Sequence, residues 1–337
     1  MVKWCSVRAL GGTCLLLFAL PVSAQQTHVL RLATAAPAGT AYARETAAFA
    51  REIEVETKGL VKIKWFYGGI AGDEIQAGER MTRGQLDGIG SGGMLCEKGS
   101  QSFRVLHLMG LYRSTDEVEH VAARLRQAFE QEQRAHGLVY LGDVALGPTD
   151  LFLRNKVTSF DALKREKLWA WDADRTNVES FHAMGFQVVP LPLEGAGAAY
   201  DRNEHDGFIS IPSGALAFQW LHRVRFSADV RISYLMGCLL VAQRSFDALA
   251  REQQEALRTA AARLRIRLRD VVQQQDEALL GGQLKRQGVT PLEATRALKD
   301  ALFQQSAQAR KKLGDWVPPA LVQKAEELVA ERRGKAP

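Results

Sequence analysis

The chain is poor in the residues that build metal, haem and redox centres. Its four cysteines (Cys5, Cys14, Cys96 and Cys238) form no Cys-x-x-Cys pair, and no His-Glu-x-x-His or clustered Cys/His pattern occurs. Structural zinc and haem attachment are excluded on that basis. Also missing are the Gly-x-Ser-x-Gly nucleophile elbow and a phosphate loop ending in Gly-Lys-Ser/Thr. Gly88, Gly90 and Gly93 satisfy Gly-x-Gly-x-x-Gly literally. A predicted helix and an Asp-Gly turn precede them, however, where the dinucleotide fingerprint needs a strand. The histidines (His28, His107, His120, His136, His182, His205, His222) are scattered without metal spacing. No cofactor, metal ion or catalytic residue is expected.

Beyond its first two dozen residues the chain also has no apolar run of membrane-spanning length. Those first residues read as an export signal. Lys3 and Arg8 give a positive start, Leu10 to Leu20 is mostly apolar, and Val22-Ser23-Ala24 is a small-residue cleavage site. Residues 1–24 are therefore expected to be removed, leaving a soluble exported protein. Neither Cys5 nor Cys14 sits in a lipoprotein signal. Loss of Lys3 and Arg8 lowers the formal charge from +6 to +4. Much of that excess lies at Arg263, Arg265, Arg267 and Arg269, where Leu257, Ala261, Leu264, Leu268 and Val271 keep helical spacing. The arginines then form a solvated helix face. No basic platform interleaved with aromatics exists, which argues against nucleic acid. An oxidising compartment permits a Cys96–Cys238 bridge, but nothing in the sequence separates a bridge from two buried thiols.

About 313 residues after removal of the signal exceed the usual single core, so two lobes are expected. Strand signals at His28–Ala33, Leu60–Tyr67, Leu138–Val144, Leu151–Asn155, Lys167–Trp171, Gln187–Leu191 and Phe208–Ile211 alternate with helical segments, which argues for an α/β fold. Ser114 to Glu119 supplies an N-cap and an acidic first turn for a helix reaching about His136. Asp87-Gly88 and Asp206-Gly207 each lead from a helix into a short strand, an internal similarity between the halves. Glycine supplies the positive φ that such a turn can require. The chain from Phe246 to about Leu284 is rich in helix formers. Thr290-Pro-Leu-Glu293 has capping-box spacing for a helix to about Leu313, and Pro319–Arg332 is the last helix. The expected division is residues 25–145 mainly in lobe I, 146–245 mainly in lobe II, and 246–337 as helices packing on both.

Aromatic and thioether side chains are the distinctive feature. In Lys167-Leu-Trp-Ala-Trp-Asp-Ala-Asp174, Trp169 and Trp171 share one strand face. Asp172 and Asp174 stand where a helix begins, so capping explains them without catalysis. Strand ends and turns face the crevice of an open α/β arrangement. That placement makes Trp169, Trp171, Phe208, Trp220, Tyr67 and Met94 candidate ligand contacts, with polar orientation from Ser210 or Thr149. Phe66, Met109 and Phe218 are expected in the core.

Several short motifs fit one known family. Trp65-Phe-Tyr-Gly-Gly69 with Gly72-Asp-Glu74, then Met81 and Gly84-Gln-Leu-Asp-Gly88, resembles the substrate-binding subunits of tripartite ATP-independent periplasmic (TRAP) transporters, the DctP-like family. So do Phe160-Asp-Ala-Leu-Lys164, Met184-Gly185, Val189-Pro-Leu191, Asp206-Gly207 and Phe246-Asp-Ala-Leu249. The resemblance implies a two-lobed periplasmic binding protein of type II-like fold, with a ligand cleft between lobes and long C-terminal helices. It implies a periplasmic receptor, not an enzyme, that delivers its ligand to TRAP membrane subunits. In acid-binding members an arginine on the strand after the Ala-Leu-Lys helix pairs with the substrate carboxylate. The matching position here is Trp169, and the supporting asparagine is Ser210. Leu168-Trp-x-Trp-x-x-Asp174 and Gln219-Trp220 resemble the branch that works with a tetratricopeptide-repeat partner. The expected ligand is therefore apolar or amphipathic. The alternatives are an organic acid held by Arg175 or Arg154, and an exported enzyme using Asp172 or Asp206 as a base.

Overall fold

The computed structural model describes Met1 and residues 27–334. Apart from Met1, the expected signal peptide lies outside the described residues. The first half follows the alternation read from the sequence: β1 (His28–Ala33), α1 (Ala41–Glu56), β2 (Val61–Phe66), α2 (Glu74–Thr82), β3 (Gly88–Ser91) and α3 (Met94–Gly99). A 3-10 turn at Ser102–His107 leads to α4 (Thr115–Ala135) and β4 (Leu138–Pro148). After it come β5 (Asp150–Leu153), α5 (Phe160–Leu163), β6 (Lys167–Trp171), α6 (Arg175–Met184), β7 (Gln187–Leu191), α7 (Ala196–Asp201), β8 (Gly207–Ser210) and α8 (Pro212–Ala217). The remainder holds β9 (Phe226–Ala228), β10 (Tyr234–Ala242), α9 (Gln243–Asp247), α10 (Arg251–Ala278), α11 (Leu284–Arg286), β11 (Thr290–Leu292), α12 (Arg296–Arg310) and α13 (Pro319–Arg332).

Helix starts are set locally. The side chains of Thr40, Asp73, Ser114, Ser159, Asp174 and Thr295 each accept from the backbone N–H three residues on, satisfying one of the donors that a helix leaves open. One expected start moves. Thr290–Leu292 pairs in parallel with β9 instead of opening a helix, and Thr295 caps α12. The proline at 291 suits this edge position, since β11 has a single neighbour and needs no donor on its outer side.

The strands form two sheets, ordered β2-β1-β3-β10-β4 and β11-β9-β5-β8-β6-β7. Tyr234–Ala242, which the sequence reading places in lobe II, is the antiparallel strand between β3 and β4 of the first sheet. Its apolar run is buried on both faces, so it lacks the alternation that marks a half-exposed strand. Both faces of each sheet are covered. The first sheet carries α4 and α13 on one side and α1 and α10 on the other. In the second, Leu168 and Ala170 face α6 and α12, while Trp169 turns to the opposite face with Trp220.

The two Asp-Gly turns are equivalent in structure. Asp87 accepts from the backbone N of Arg31 on β1 (2.9 Å), and Asp206 accepts from the backbone N of Lys167 on β6 (2.9 Å). The glycines, however, are required by crowding and not by φ. A Cβ on Gly88 would stand 2.6 Å from the Leu240 carbonyl oxygen, and one on Gly207 would stand 2.4 Å from that of Phe152. In each lobe an antiparallel strand presses on the turn.

Polypeptide crosses between the sheets at Thr149, between β4 and β5, and at residues 229–233, between β9 and β10. The crossings are tied together: Thr149 N donates to Ser233 O (2.9 Å), and the two hydroxyls lie 2.7 Å apart. Helix α10 is a third connection. Arg263 and Arg267 pair with Glu52, Glu56 and Glu45 of α1, while Asp276 near the other end accepts from Ser213 N of α8 (2.6 Å). The helix then loosens into a π turn at Leu279–Gln283, with Gly282 at φ +133°.

Cys96 of α3 and Cys238 of β10 form a disulfide across 142 residues. Replacing both by alanine is expected to cost about 2–5 kcal/mol, read as a lower denaturant midpoint; an unchanged midpoint would refute a stabilising role. Asp150, next to the crossing at Thr149, gives a pH prediction. Burial, reinforced by Asp229 and Asp276 and opposed by Arg231, pushes Asp150 up to about 7. A carboxyl whose folded pKa is raised favours the folded state while protonated, and that stability is lost as pH rises from about 4 through 7. Asp150→Asn should therefore stabilise the protein at pH 8 by about 2–4 kcal/mol, and should flatten the pH dependence between those limits. Thermal unfolding across that range checks both.

Candidate functional site

Between the two sheets lies a cavity of about 220 Å³. The loop after β1 (Thr34 to Pro37), the end of β3 (Gly90 to Gly92), the end of β6 and the end of β8 all open on it, together with the crossing residues Thr149 and Ser233. It is thus the crevice outside the carboxyl ends of the strands, doubled because two sheets face each other.

Trp169 and Trp171 both line it, as do Trp220, Met94, Ser210 and Thr149. Trp169 is fixed at its rim: Nε1 donates to Leu191 O (3.1 Å), and the ring meets Trp220 edge-on at 5.1 Å. Phe218 stacks on Trp220 at 5.2 Å and also lines the cavity, so its expected place in the core is corrected. Two candidates do not reach the space. Phe208, in register with Trp169, lies behind it, stacked on Phe152 at 5.3 Å with its ring against Trp220. Tyr67 follows the edge strand β2 and turns its hydroxyl to Ala43 O (3.2 Å) and Thr46 Oγ1 (3.1 Å) of α1. Tyr42, Asn177 and Ser213 line the cavity without having been singled out. Each is in the first turn of a helix after a strand, so position was the available signal; no sequence pattern marks which first turns converge.

No lysine or arginine lines the cavity among the described residues. Arg154 donates to Tyr200 O and stacks 4.0 Å over that ring. Arg175 lies 4.5 Å over the Trp316 ring and 3.6 Å from Glu179. Besides the tyrosines Tyr42 and Tyr234, the ionisable groups that do line it are Glu74, His107 and Asp174. Glu74 is saturated, accepting from the Ser91 hydroxyl and from the N–H groups of Gly92, Met94 (3.1 Å) and Leu95 (3.3 Å). Burial nonetheless holds its pKa above the ordinary carboxylate value. Asp174 caps α6, as its position predicts, through Asn177 N (3.0 Å). Desolvation, with Glu97 adding to it, pushes Asp174 up to about 6. Desolvation works against a charged His107, but its bond to Glu97 outweighs this and raises the imidazole pKa. Asp172 does not line the cavity, and neither does Asp206, which is spent on Lys167 N. Among the described residues no group of three or more acidic, histidine or cysteine side chains could hold a metal ion.

Beside the cavity the lobes are latched. Glu97 of α3 accepts from Thr176 Oγ1 of α6 (2.7 Å), and Thr176 Oγ1 accepts from Trp316 Nε1 (2.9 Å). Arg104 stacks 3.6 Å over the Trp316 ring and donates to its backbone oxygen (2.7 Å).

Residues 32–314 match the sequence profile of the DctP family, described as bacterial extracellular solute-binding protein, family 7. No curated protein matches in sequence. The fold is similar to that of the sugar acid binding protein from Advenella mimigardefordensis in complex with galactonate, at TM-score 0.84 and 17% identity, covering 91% of this chain and 99% of that one. It is also similar to a TRAP periplasmic solute binding protein from Roseobacter denitrificans with bound L-galactonate (TM-score 0.80, 20% identity, 90% and 99% covered). A third similar structure, from Ochrobactrum anthropi, has its C-terminus bound in the ligand binding pocket (TM-score 0.80, 19% identity, 92% and 97% covered).

Thr176→Val removes the hydroxyl that joins Glu97 to Trp316 and leaves the buried Glu97 carboxylate without that donor. The closed form should lose about 1–3 kcal/mol relative to the open one, seen as a larger radius of gyration in small-angle scattering. An unchanged radius and unchanged ligand affinity would show that the contact does not hold the lobes together.

Proposed function

The chain belongs to the DctP family of bacterial extracellular solute-binding proteins, and on that premise we propose that it is a receptor for an apolar or amphipathic ligand. Members are substrate receptors of TRAP transporters and not enzymes. The observation that carries the ligand reading is a cavity without a lysine or arginine among the described residues. An organic acid closed into it would meet no lysine or arginine. His107, the lining group able to carry positive charge, has its ring nitrogens engaged by Glu97 and by Met236 O. Burying a carboxylate without a free cationic partner is costly. Glu74 and Asp174 add negative charge where such an anion would need positive. The residues offered as substitute anchors, Arg154 and Arg175, are engaged elsewhere. In place of a cation the cavity offers the Trp169 and Trp220 rings. Covering about 200 Å² of ligand hydrocarbon against such walls contributes about 5 kcal/mol before the cost of association is subtracted.

Galactonate and L-galactonate are ligands of the two similar proteins named above, and they favour the second reading, an organic acid. A periplasmic location is part of this reading, supported by the export signal read in residues 1–24. TRAP membrane subunits are the partners to which it would deliver its ligand, with a tetratricopeptide-repeat protein as an additional partner.

Native mass spectrometry of protein purified without denaturation tests the reading. The expected outcome is a co-purified molecule of low polarity, bound at least tenfold more weakly by Trp169→Ala in a tryptophan fluorescence titration. A co-purified organic acid, or unchanged binding in Trp169→Ala, would overturn it.

A further inference from the structure

Residues 311–318, between α12 and α13, make a further link between the lobes. Helix α12 packs on α6 and shares the core of the second sheet, whereas α13 packs on α4 and shares the core of the first. Trp316 stands in this link and is held from both sides. From the first lobe, Arg104 stacks 3.6 Å over the ring and donates to the Trp316 backbone oxygen (2.7 Å). From the second, Arg175 lies 4.5 Å over the ring, and Thr176 Oγ1 accepts from Nε1 (2.9 Å).

The elements that grip Trp316 also line the ligand cavity. His107 of the 3-10 turn lines it, and Arg104 stands three residues earlier. On α6, Asp174 and Asn177 line it, with Arg175 and Thr176 between them. On α3, Met94 lines it, and Glu97 reaches Thr176 (2.7 Å). A ligand that draws these elements together therefore also sets the grip on Trp316. Charge gives that grip its meaning. Burial holds the Arg104 pKa below its ordinary value; Glu97 opposes this, and the positive charge of Arg175 adds to it. The two cations, one from each lobe, repel each other. An indole face attracts a cation, so Trp316 offers both a common partner. That partnership needs both lobes in place at once.

We propose that residues 311–318 are a strap that closes with the cleft, its Trp316 ring shared by Arg104 and Arg175 in the closed receptor and given up by Arg175 on opening. The strap sets how long a ligand is retained without touching it, and it carries closure to the junction of α12 and α13. Trp316 and Arg175 are thus positioning residues. This holds for an apolar ligand and for an acid alike, so it stands apart from the ligand reading above.

The test is the balance of closed and open receptor in the mature chain without ligand. It is read from the distance distribution between spin labels on cysteines introduced at Lys64 of β2 and Gln187 of β7, both exposed. Arg175→Gln removes one cation from the ring and otherwise costs only the exposed pair with Glu179, which is worth little. It should lower the closed-to-open ratio about two- to fivefold and leave the unfolding midpoint unchanged. Trp316→Leu removes the ring and its N–H together and should lower the ratio about tenfold or more. In the Trp316→Leu background, Arg175→Gln should raise the ratio, because only repulsion is left to remove. An unchanged or higher ratio in Arg175→Gln alone overturns the inference. So does a lower ratio accompanied by a lower midpoint in that variant, which would mark general loosening, or the same sign of effect in both backgrounds.

Discussion

The tie between Thr149 and Ser233 is the contact on which the cleft depends. The chain leaves the first sheet at Thr149 and returns to it after residue 233, and a backbone hydrogen bond and a pair of hydroxyls hold these crossings side by side. Both sheets therefore pivot on one short seam. Strand ends on either side of that seam are forced to face each other, which is why the loops after β1, β3, β6 and β8 share a single cavity. Asp276 extends the constraint to α10, which is braced to the first lobe by arginine–glutamate pairs and to the second by Ser213. The π turn at residues 279–283 follows at once, where the helix must pass from one lobe to the other.

Given that frame, electrostatics decides what the cavity accepts. Glu74 spends its carboxylate on the turn after β3 and occupies N–H groups that an anion would otherwise attract. His107 is held by Glu97, and Asp174 by the first turn of α6. Arg104 and Arg175 lie on Trp316 outside the cavity. The charged groups that line the cavity thus serve the fold, and much of the remaining wall is aromatic and aliphatic surface. The latch through Thr176 adjoins Asp174 and Asn177, so the first turn of α6 both lines the cavity and fastens the lobes.

Much of this organisation is legible in local residues. The caps at Ser114 and Asp174 stand where the sequence indicates them, the start expected at Thr290 moves to Thr295, and alternation marks β2. The tryptophans at 169 and 171 share a face because strand geometry allows nothing else. Six of the eight proposed contact residues line the cavity. Phe208 and Tyr67 miss it for reasons outside their own strands: one is covered by Trp169 and Trp220, and the other follows an edge strand beside α1. Phe218 lines it because the turn after α8 folds back onto Trp220.

By itself the sequence determined the α/β alternation, the helix starts at Ser114 and Asp174, the two equivalent Asp-Gly turns and the shared strand face of Trp169 and Trp171. These depend on neighbours within a turn or a strand, where propensity, capping and side-chain alternation act. Tertiary structure alone decided that β10 returns to the first sheet, that Cys96 meets Cys238, and that Gly88 and Gly207 are needed for crowding. Each of those outcomes depends on contact between residues far apart in the chain, and no local pattern records which distant groups will exclude water from one another.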